Sequence, residues 1–430
     1  MRYNQIRPDM KQCLTKLSAV AVLIILFGCA RQDDVNEVFS SNPESHLSSN
    51  NTGKISEAEA VDLAFSFIVG NAKSTRSASN VSVDYIFSND ARTRSVQNDT
   101  LAYVINVPDE GGYAIISRTA SEDDVVAFSH EGNFDVASVE TKWVVENLLV
   151  PYLERASDSE NTRSASKIVG GHTLYDGMEL ISPKASYGIH QDSPYNDVIT
   201  QYYPGCVAGC VPVAIANIAI TAKRDITINE EKFYLESIRK GFFTHLTGIQ
   251  RPEIDPFPVI PPITGTLGVV GYNPVFTYEA AVTETAKLLF RLGQALKTTY
   301  RAYDENLSGP ASGTTVPNTQ AFLDKYGFSI SVPLTYSTLN EQMVVNRLRD
   351  NTIFFMLGYD QTRPDIAHAY VCDGCYYLSS SSDDSIIEKS YLHIDWGWRS
   401  GSTGYYNGKV WSAGGYDFIT YGLIGIDIEK

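Results

Sequence analysis

The sequence predicts an α+β protein. Two observations support this: apolar runs with helical spacing come first in the larger part of the chain, and runs rich in β-branched and aromatic residues come last. The predicted helices span residues 211–222, 281–296 and 340–349, and the predicted strands span 352–357, 368–371, 390–395 and 417–426. Helices followed by an antiparallel sheet are typical of this fold class.

A smaller α+β domain is predicted at residues 55–154. Ser56 and Glu59 form a capping-box pattern ahead of apolar residues at helical spacing, which predicts a short amphipathic helix. Strand-like runs follow at 82–87, 101–107 and 113–117. One helix and three strands are enough to form a separate small domain before the larger one.

The first 28 residues have the pattern of an export signal. Basic residues precede an apolar run at 17–27 that is too short to span a bilayer comfortably. The run ends in Leu26-Phe27-Gly28-Cys29, which resembles the bacterial lipobox. We expect removal of residues 1–28, lipidation of Cys29 and a flexible tether at 29–54. The alternative is an ordinary signal peptide with an incidental cysteine.

A polar linker at residues 155–167 separates the small domain from the larger domain, 168–430. It consists mainly of Ser, Asn, Asp and Arg and contains the triplet Thr162-Arg163-Ser164, which also occurs at 75–77 and 93–95. Exposed linkers of this composition are preferred sites of proteolysis. We therefore expect an activating cleavage between Arg163 and Ser164, although three copies could arise by chance in Ser-rich segments.

The net charge and the number of cysteines argue against two classes of protein, those that bind nucleic acid and those built on disulfide bonds. The 430-residue chain carries 50 Asp and Glu against 34 Lys and Arg, a formal charge of -16. This balance argues against nucleic acid as a partner. Beyond residue 29 the chain has four cysteines, Cys206, Cys210, Cys372 and Cys375, which are too few for a disulfide scaffold. At least one of them is then a candidate for reactivity.

Cys210 is the candidate nucleophile. It follows Gly209 at the start of an all-apolar run with Pro212 in the first turn, a pattern that predicts a buried helix beginning at the cysteine. The positive end of the helix dipole and the free N–H groups there favour a thiolate, the reactive form in a cysteine peptidase. The plainer interpretation is a small buried core cysteine.

A thiolate nucleophile also needs a proton acceptor. Among the seven histidines, His368 opens one predicted strand and His393 lies in another, and either could face a cleft. Either could serve as the base, and either could be a structural histidine. Spacing alone does not choose between them.

Four ordered motifs resemble the streptopain family of papain-like cysteine peptidases. They are Gln191-Asp192-Ser193-Pro194-Tyr195-Asn196, the segment 209–218 around Cys210, Ala367-His368-Ala369-Tyr370-Val371-Cys372-Asp373-Gly374, and His393-Ile394-Asp395-Trp396-Gly397-Trp398. The resemblance covers roughly residues 183–430 and, more weakly, the small domain. It implies a papain-like peptidase domain, with a helical part and an antiparallel sheet part, preceded by a propeptide domain.

The resemblance also implies roles for individual residues. Cys210 would be the nucleophile, His368 the base and then the acid, and Gln191 an oxyanion donor beside the Cys210 N–H. Trp396 would pack against His368. The family's Asn before that tryptophan is Asp395 here, which could orient His368 but would add charge. Ala367 and Pro212-Val213 also depart from the family pattern, and Gly188, Ile189 and His190 precede Gln191 where the family has an aromatic residue.

The function implied is that of a lipid-anchored cysteine endopeptidase made as a zymogen. It would use no cofactor or metal, act on proteins or peptides, be inhibited by its own propeptide, and contact the membrane through its lipid. We expect it at the bacterial cell envelope, facing the periplasm or the cell surface, with release of a processed form. The alternatives are a zinc site built from the four cysteines and an inactive surface lipoprotein that binds a partner.

Overall fold

The structure is a computed structural model. It describes residues 54–68, 81–88, 100–107, 111–119, 125–158, 178–222, 225–246, 274–302, 312–336, 339–360, 367–380, 383–399, 402–412 and 419–428. All of these belong to one compact unit, Asn51–Lys430. The predicted signal peptide, Cys29, the tether up to residue 53 and the Arg163–Ser164 bond lie outside the described residues. We call residues 54–158 the amino-terminal part and residues 178–428 the carboxyl-terminal part.

The amino-terminal part is a helix packed on a four-stranded antiparallel sheet. Its first helix, Glu57–Ile68, starts at the predicted capping box: the Ser56 N–H donates to Glu59 Oε2, and the Glu59 N–H donates to Ser56 Oγ. The strands are β1 Ser82–Phe87, β2 Thr100–Asn106, β3 Tyr113–Ser117 and β4 Val125–Ser129. A helical run follows, made of Val139–Val144, the π-helical Val145–Leu149, and Val150–Asp158.

Strands β3 and β4 are apolar at nearly every position because both of their faces are buried. Successive side chains of a strand point to opposite faces. In β3, Ala114 and Ile116 pack on the face covered by the first helix, whereas Tyr113 and Ile115 pack on the other face with Leu148. This two-sided burial removes the polar alternation by which strands are usually recognised.

The carboxyl-terminal part contains seven helices and nine strands within the residues that the structure describes. The helices are Asp197–Tyr202, Cys210–Thr221, Leu235–Leu246, Tyr278–Ala295, Val316–Lys325, Glu341–Arg349 and Lys409–Ser412. The strands are β5 Glu179–Ile181, β6 Ile226–Ile228, β7 Glu231–Phe233, β8 Ile330–Tyr336, β9 Thr352–Asp360, β10 Ala367–Ser380, β11 Asp383–Asp395, β12 Gly404–Asn407 and β13 Ile419–Asp427. The predicted α+β class is confirmed.

One antiparallel sheet runs through both parts. Its strand order is β1-β2-β3-β4-β12-β11-β10-β9-β13-β8, and β5 pairs with β10 outside this path. The helix Cys210–Thr221 packs against β9 and β10, with residues 211–221 all buried. This packing places the start of that helix against the start of β10, where Cys210 and His368 lie.

No helix among the described residues is long and apolar enough to cross a membrane.

Candidate active site

Cys210 is the first residue of the helix Cys210–Thr221, as the sequence predicted. Gly209 precedes it with φ of +90°, a backbone conformation that side chains strongly disfavour. A Cβ added at Gly209 would lie 3.2 Å from the Ser312 carbonyl oxygen. Glycine is therefore needed at this position, both for the turn into the helix and for the close approach of the segment at 312.

The segment carrying Gln191 lies beside the residues leading into Cys210. The Ala208 N–H donates to the Gln191 carbonyl oxygen at 2.9 Å, and the Asn196 side chain donates to the Cys206 carbonyl at 3.1 Å. These bonds hold residues 191–196 alongside residues 206–208. The predicted oxyanion donor is thus anchored by its backbone close to the candidate nucleophile.

Burial and hydrogen bonding act in opposite directions on the Cys210 thiol. Burial raises its pKa, whereas backbone N–H groups of Ala369, Val211 and Cys210 itself lower it. The effect of the Ala369 N–H is informative because Ala369 follows His368 on β10. The thiol therefore lies next to the strand that carries the candidate base.

The His368 ring is held by tryptophans and by a main-chain carbonyl. Its Nε2 donates to the Trp396 carbonyl oxygen at 2.9 Å. It stacks on Trp398 at 4.5 Å between ring centroids and contacts Trp143, of the amino-terminal part, at 5.7 Å. Trp396 also packs on it, at 6.2 Å, as the sequence predicted. Sequence reasoning gave neither Trp398 nor Trp143 a role.

The tautomer and charge of His368 follow from these contacts. A carbonyl oxygen only accepts, so Nε2 carries the proton and Nδ1 keeps its lone pair. Burial lowers the pKa of His368 to about 4, against a smaller opposing effect of the Trp396 carbonyl. The ring is therefore neutral near pH 7 in this state.

Cys210 and His368 are adjacent in the fold but not paired. Within the part of the chain that the structure describes, no hydrogen bond joins the Cys210 thiol to the His368 ring, whose Nε2 is bonded to Trp396. A protonated thiol and a neutral imidazole are the less reactive pair of states. In this structure the thiol and the imidazole thus lie on neighbouring elements without a hydrogen bond between them.

Asp395 forms a hydrogen bond within its own turn and is not the group that accepts the His368 Nε2–H. Its Oδ1 accepts from the Gly397 N–H at 2.8 Å, and the side chain is 5% exposed. Burial raises the pKa of Asp395 to about 6, and the nearby Asp373 adds to this effect. The carboxylate thus shapes the turn between Trp396 and Trp398, while the Trp396 carbonyl orients the histidine.

The other candidate base, His393, belongs to a buried polar cluster away from the thiol. Its Nδ1 lies 2.6 Å from Asp373 Oδ1, and Asp373 Oδ2 accepts the N–H groups of Lys184 and Ala185 at 2.8 and 2.6 Å. Asp373 is an extra residue in β10, because the pairing with β11 shifts between Cys372 and Gly374. This bulge explains how one carboxylate can bind both β11 and the segment at 184–185.

The zinc alternative is not supported by the geometry. All four cysteines are free thiols, and among the described residues no group of three or more His, Cys, Asp or Glu side chains could hold a metal ion. Cys372 and Cys375 lie in one hydrophobic cluster, whereas Cys210 packs against a different one. The two cysteine pairs therefore do not form a common tetrahedral site.

Two family models match this chain. Residues 270–406 match the Peptidase C10 family, and residues 52–152 match the Spi protease inhibitor family. The first match contains His368, Asp395 and Trp396 and begins after Gln191 and Cys210. Residues 270–406 therefore carry a domain of the peptidase C10 family, also called the streptopain family. The protein is a cysteine-type peptidase with an inhibitory propeptide, as the sequence motifs predicted, and it acts on peptide substrates.

Solved structures of two forms of a Prevotella intermedia protein are similar to this C10 peptidase. A fragment of prointerpain A has a TM-score of 0.48 and 16% identity, covering 80% of this chain and 98% of that one. Active interpain A, a cysteine protease, has a TM-score of 0.33 and 19% identity, covering 58% and 96%. No curated protein matches the chain.

Proposed function

We propose that this C10 peptidase is an exported, lipid-anchored endopeptidase that cleaves peptide bonds with Cys210 as nucleophile and His368 as base. The observation that carries the proposal is the position of the Cys210 thiol. It lies at the N-terminus of a buried helix that packs on β10, close enough to the backbone N–H of Ala369, the neighbour of His368, for that N–H to lower its pKa. This places one thiol and one imidazole-bearing strand side by side.

The reaction follows from these two groups. His368 removes the thiol proton, and the thiolate attacks the carbonyl carbon of the substrate. The Cys210 N–H and the Gln191 side chain stabilise the oxyanion, His368 protonates the leaving amine, and a thioester to Cys210 remains. Water, deprotonated by His368, then hydrolyses the thioester and restores the thiol. Trp396 positions the imidazole through its carbonyl and its ring.

Latency in this proposal depends on the same residues. Trp143 of the inhibitory amino-terminal part contacts the His368 ring and hinders its rotation toward Cys210. Withdrawal of Trp143 would free the ring to turn toward Cys210. Cleavage between Arg163 and Ser164 would break the covalent connection between the two parts, which is the first step of activation.

Casein hydrolysis by purified protein tests the assignment of the nucleophile. We expect Cys210→Ala to lose activity by several orders of magnitude, with the fold intact by circular dichroism. Cys206→Ala is the matched control, because Cys206 is also a free thiol near the same helix. Sensitivity to the epoxide E-64 should disappear with Cys210. Inactive Cys206→Ala beside active Cys210→Ala would refute the assignment.

The lipid anchor has a separate test. Cys29→Ser removes the proposed acylation site, so the protein should move from the membrane fraction to the soluble fraction. Labelled fatty acid should be incorporated into the wild type and not into the variant. Membrane association that persists in Cys29→Ser, without label in the wild type, would rule out acylation at this residue.

A further inference from the structure

We propose that the amino-terminal part stays bound to the carboxyl-terminal part after the chain between residues 159 and 177 is cut. The interface holding them is formed by β4, β12 and the side chains around them. The partner that fits this surface of the processed peptidase is thus its own cleaved amino-terminal part. This inference concerns the regulation of the proposed zymogen. It rests on the proposed function only in assuming that the connecting segment is cut.

The backbone of the interface is a strand pair. β4 pairs antiparallel with β12, opposing Phe128 to Tyr405 and Ala127 to Tyr406, and β12 in turn pairs with β11. Departure of β4 would leave β12 as a sheet edge with unpaired N–H and C=O groups. The hydrogen bonds between β4 and β12 therefore favour the bound state whether or not the chain is cut between residues 159 and 177.

An aromatic cluster covers one face of this strand pair. Phe128 of β4 stacks on Tyr405 at 5.2 Å with 17° between the planes, and packs edge-on against Tyr391 at 5.3 Å. Phe67 of the first helix also contacts Tyr391, at 6.3 Å. Tyr391 and Tyr405 are 1% and 7% exposed. Separation would expose these tyrosine rings to water, which opposes dissociation.

A buried hydroxyl network joins the two parts on the other face. The Tyr113 hydroxyl of β3 donates to the Ser402 carbonyl at 2.9 Å and lies 3.2 Å from the Tyr406 hydroxyl. Tyr406 itself accepts the Trp396 indole N–H at 3.0 Å. Tyr113 is fully buried. Through Tyr406, its bonds connect the amino-terminal part to Trp396, whose carbonyl binds His368.

Gly404 shows how closely the two parts approach. A Cβ at this position would lie 2.6 Å from the Phe128 carbonyl oxygen, 2.7 Å from the Tyr113 hydroxyl and 3.0 Å from Ser129 Cβ. All three atoms belong to the amino-terminal part. Gly404 is therefore a residue of the carboxyl-terminal part at which a single methyl group would obstruct docking.

Because of this interface, cleavage of the connecting segment and activation of the peptidase are two distinct steps. A cut in the connecting segment removes the effective concentration that the tether provides but leaves every contact of the interface in place. Trp143 then remains on His368. Activity is expected to appear when the amino-terminal part dissociates or is digested, so it should lag behind the cut.

The test uses full-length Cys210→Ala protein with a recognition sequence for an unrelated protease placed between residues 159 and 177. After complete cutting and dilution to about 1 µM, we expect the two fragments to co-elute in gel filtration. Because this variant is inactive by design, the result does not depend on whether Cys210 is the nucleophile. Separation of the fragments at this concentration would overturn the proposal. It would not change the assignment of the nucleophile, which the casein assay tests independently.

Two variants locate the interaction at the interface. Tyr113→Phe removes only the bridging hydroxyl, and we expect about a tenfold faster dissociation of the cut fragments. Tyr103→Phe is the matched control, since the Tyr103 hydroxyl bonds to the Ile55 carbonyl within the amino-terminal part. Gly404→Ala should release the fragment outright. Equal dissociation rates for the two tyrosine variants would contradict the proposed interface.

Discussion

At the scale of single residues, the two candidate histidines are distinguished by their partners. His368 is bound through one ring nitrogen to a carbonyl and lies beside the thiol segment, which leaves Nδ1 with a free lone pair. His393 is bonded to a fully buried carboxyl group, Asp373. The first arrangement suits proton transfer after a rotation of the ring, and the second suits structure.

These partners predict different effects of substitution. His368→Ala should reduce peptide hydrolysis as severely as loss of Cys210 and, because the ring is buried, should also lower the melting temperature without unfolding the protein at assay temperature. His393→Ala should cost about 2 to 3 kcal/mol in the free energy of unfolding, because it removes a hydrogen bond from a buried carboxyl group. Urea unfolding and casein assays on both variants check this. A stable His393→Ala protein without turnover would reverse the assignment.

Asp395 gives a prediction for the pH dependence of stability. Burial raises the pKa of this carboxyl group from 3.8 to about 6. Its contribution to stability is therefore present below pH 4, where the group is protonated in both states, and is lost as the pH rises through about 6. The loss is on the order of 3 kcal/mol.

Asp395→Asn should remove this pH dependence, because the amide keeps the shape and accepts the Gly397 N–H without titrating. We expect the variant to unfold at a higher temperature than the wild type at pH 7.5 and at nearly the same temperature at pH 4. Thermal unfolding at both values is the measurement. A difference between the two proteins that is the same at both pH values would show that the raised pKa is not its cause.

At the scale of secondary-structure elements, the helical run from Val139 to Asp158 brings the amino-terminal part into the active site. Trp143 lies near the start of this run and contacts both His368 and Trp396. Its indole N–H is buried without a hydrogen-bond partner among the described residues. An unpaired buried N–H is costly, so this contact is easier to release than a fully bonded one.

Trp143→Ala is expected to weaken latency in the uncut chain. Removing the indole should raise the initial rate of peptide hydrolysis by about tenfold, since the His368 ring gains freedom to reach the thiol. Gel analysis must show that the chain is still intact during the measurement. Phe87→Ala, which truncates an exposed aromatic residue of β1, is the control and should change nothing. An unchanged rate in Trp143→Ala would remove this residue from the inhibitory contact.

Local patterns predicted some elements well and others poorly. The helix predicted at 211–222 and the strand predicted at 113–117 fall within a residue of Cys210–Thr221 and Tyr113–Ser117, because apolar spacing and glycine boundaries encode them locally. β4, which is as fully buried as β3, was missed because no Gly or Pro precedes it, whereas the turn residues Gly111 and Gly112 mark the start of β3. The role of Trp143 was also missed, since its contact with His368 arises from packing between distant segments and no local spacing records it.

At the scale of the whole molecule, inhibitor and enzyme parts form one continuous sheet. The motifs around Cys210 and His368 predicted the peptidase class from sequence, and the small domain was expected as a separate unit. In the structure the sheet of this domain continues into the sheet of the peptidase through β4 and β12. Inhibition is therefore built into the packing of the sheet as well as into the contact at the active site.

The most direct test of the central claim is the rate of Cys210 alkylation by iodoacetamide as a function of pH, before and after removal of the amino-terminal part. In the uncut chain burial raises the pKa of the thiol, so labelling should be slow at neutral pH and increase only under alkaline conditions. In the active processed enzyme, labelling at pH 6 to 7 should be about 100-fold faster, and His368→Ala should abolish that gain. Identical pH profiles in the two forms, or labelling of Cys206 in place of Cys210, would contradict a latent Cys210–His368 pair.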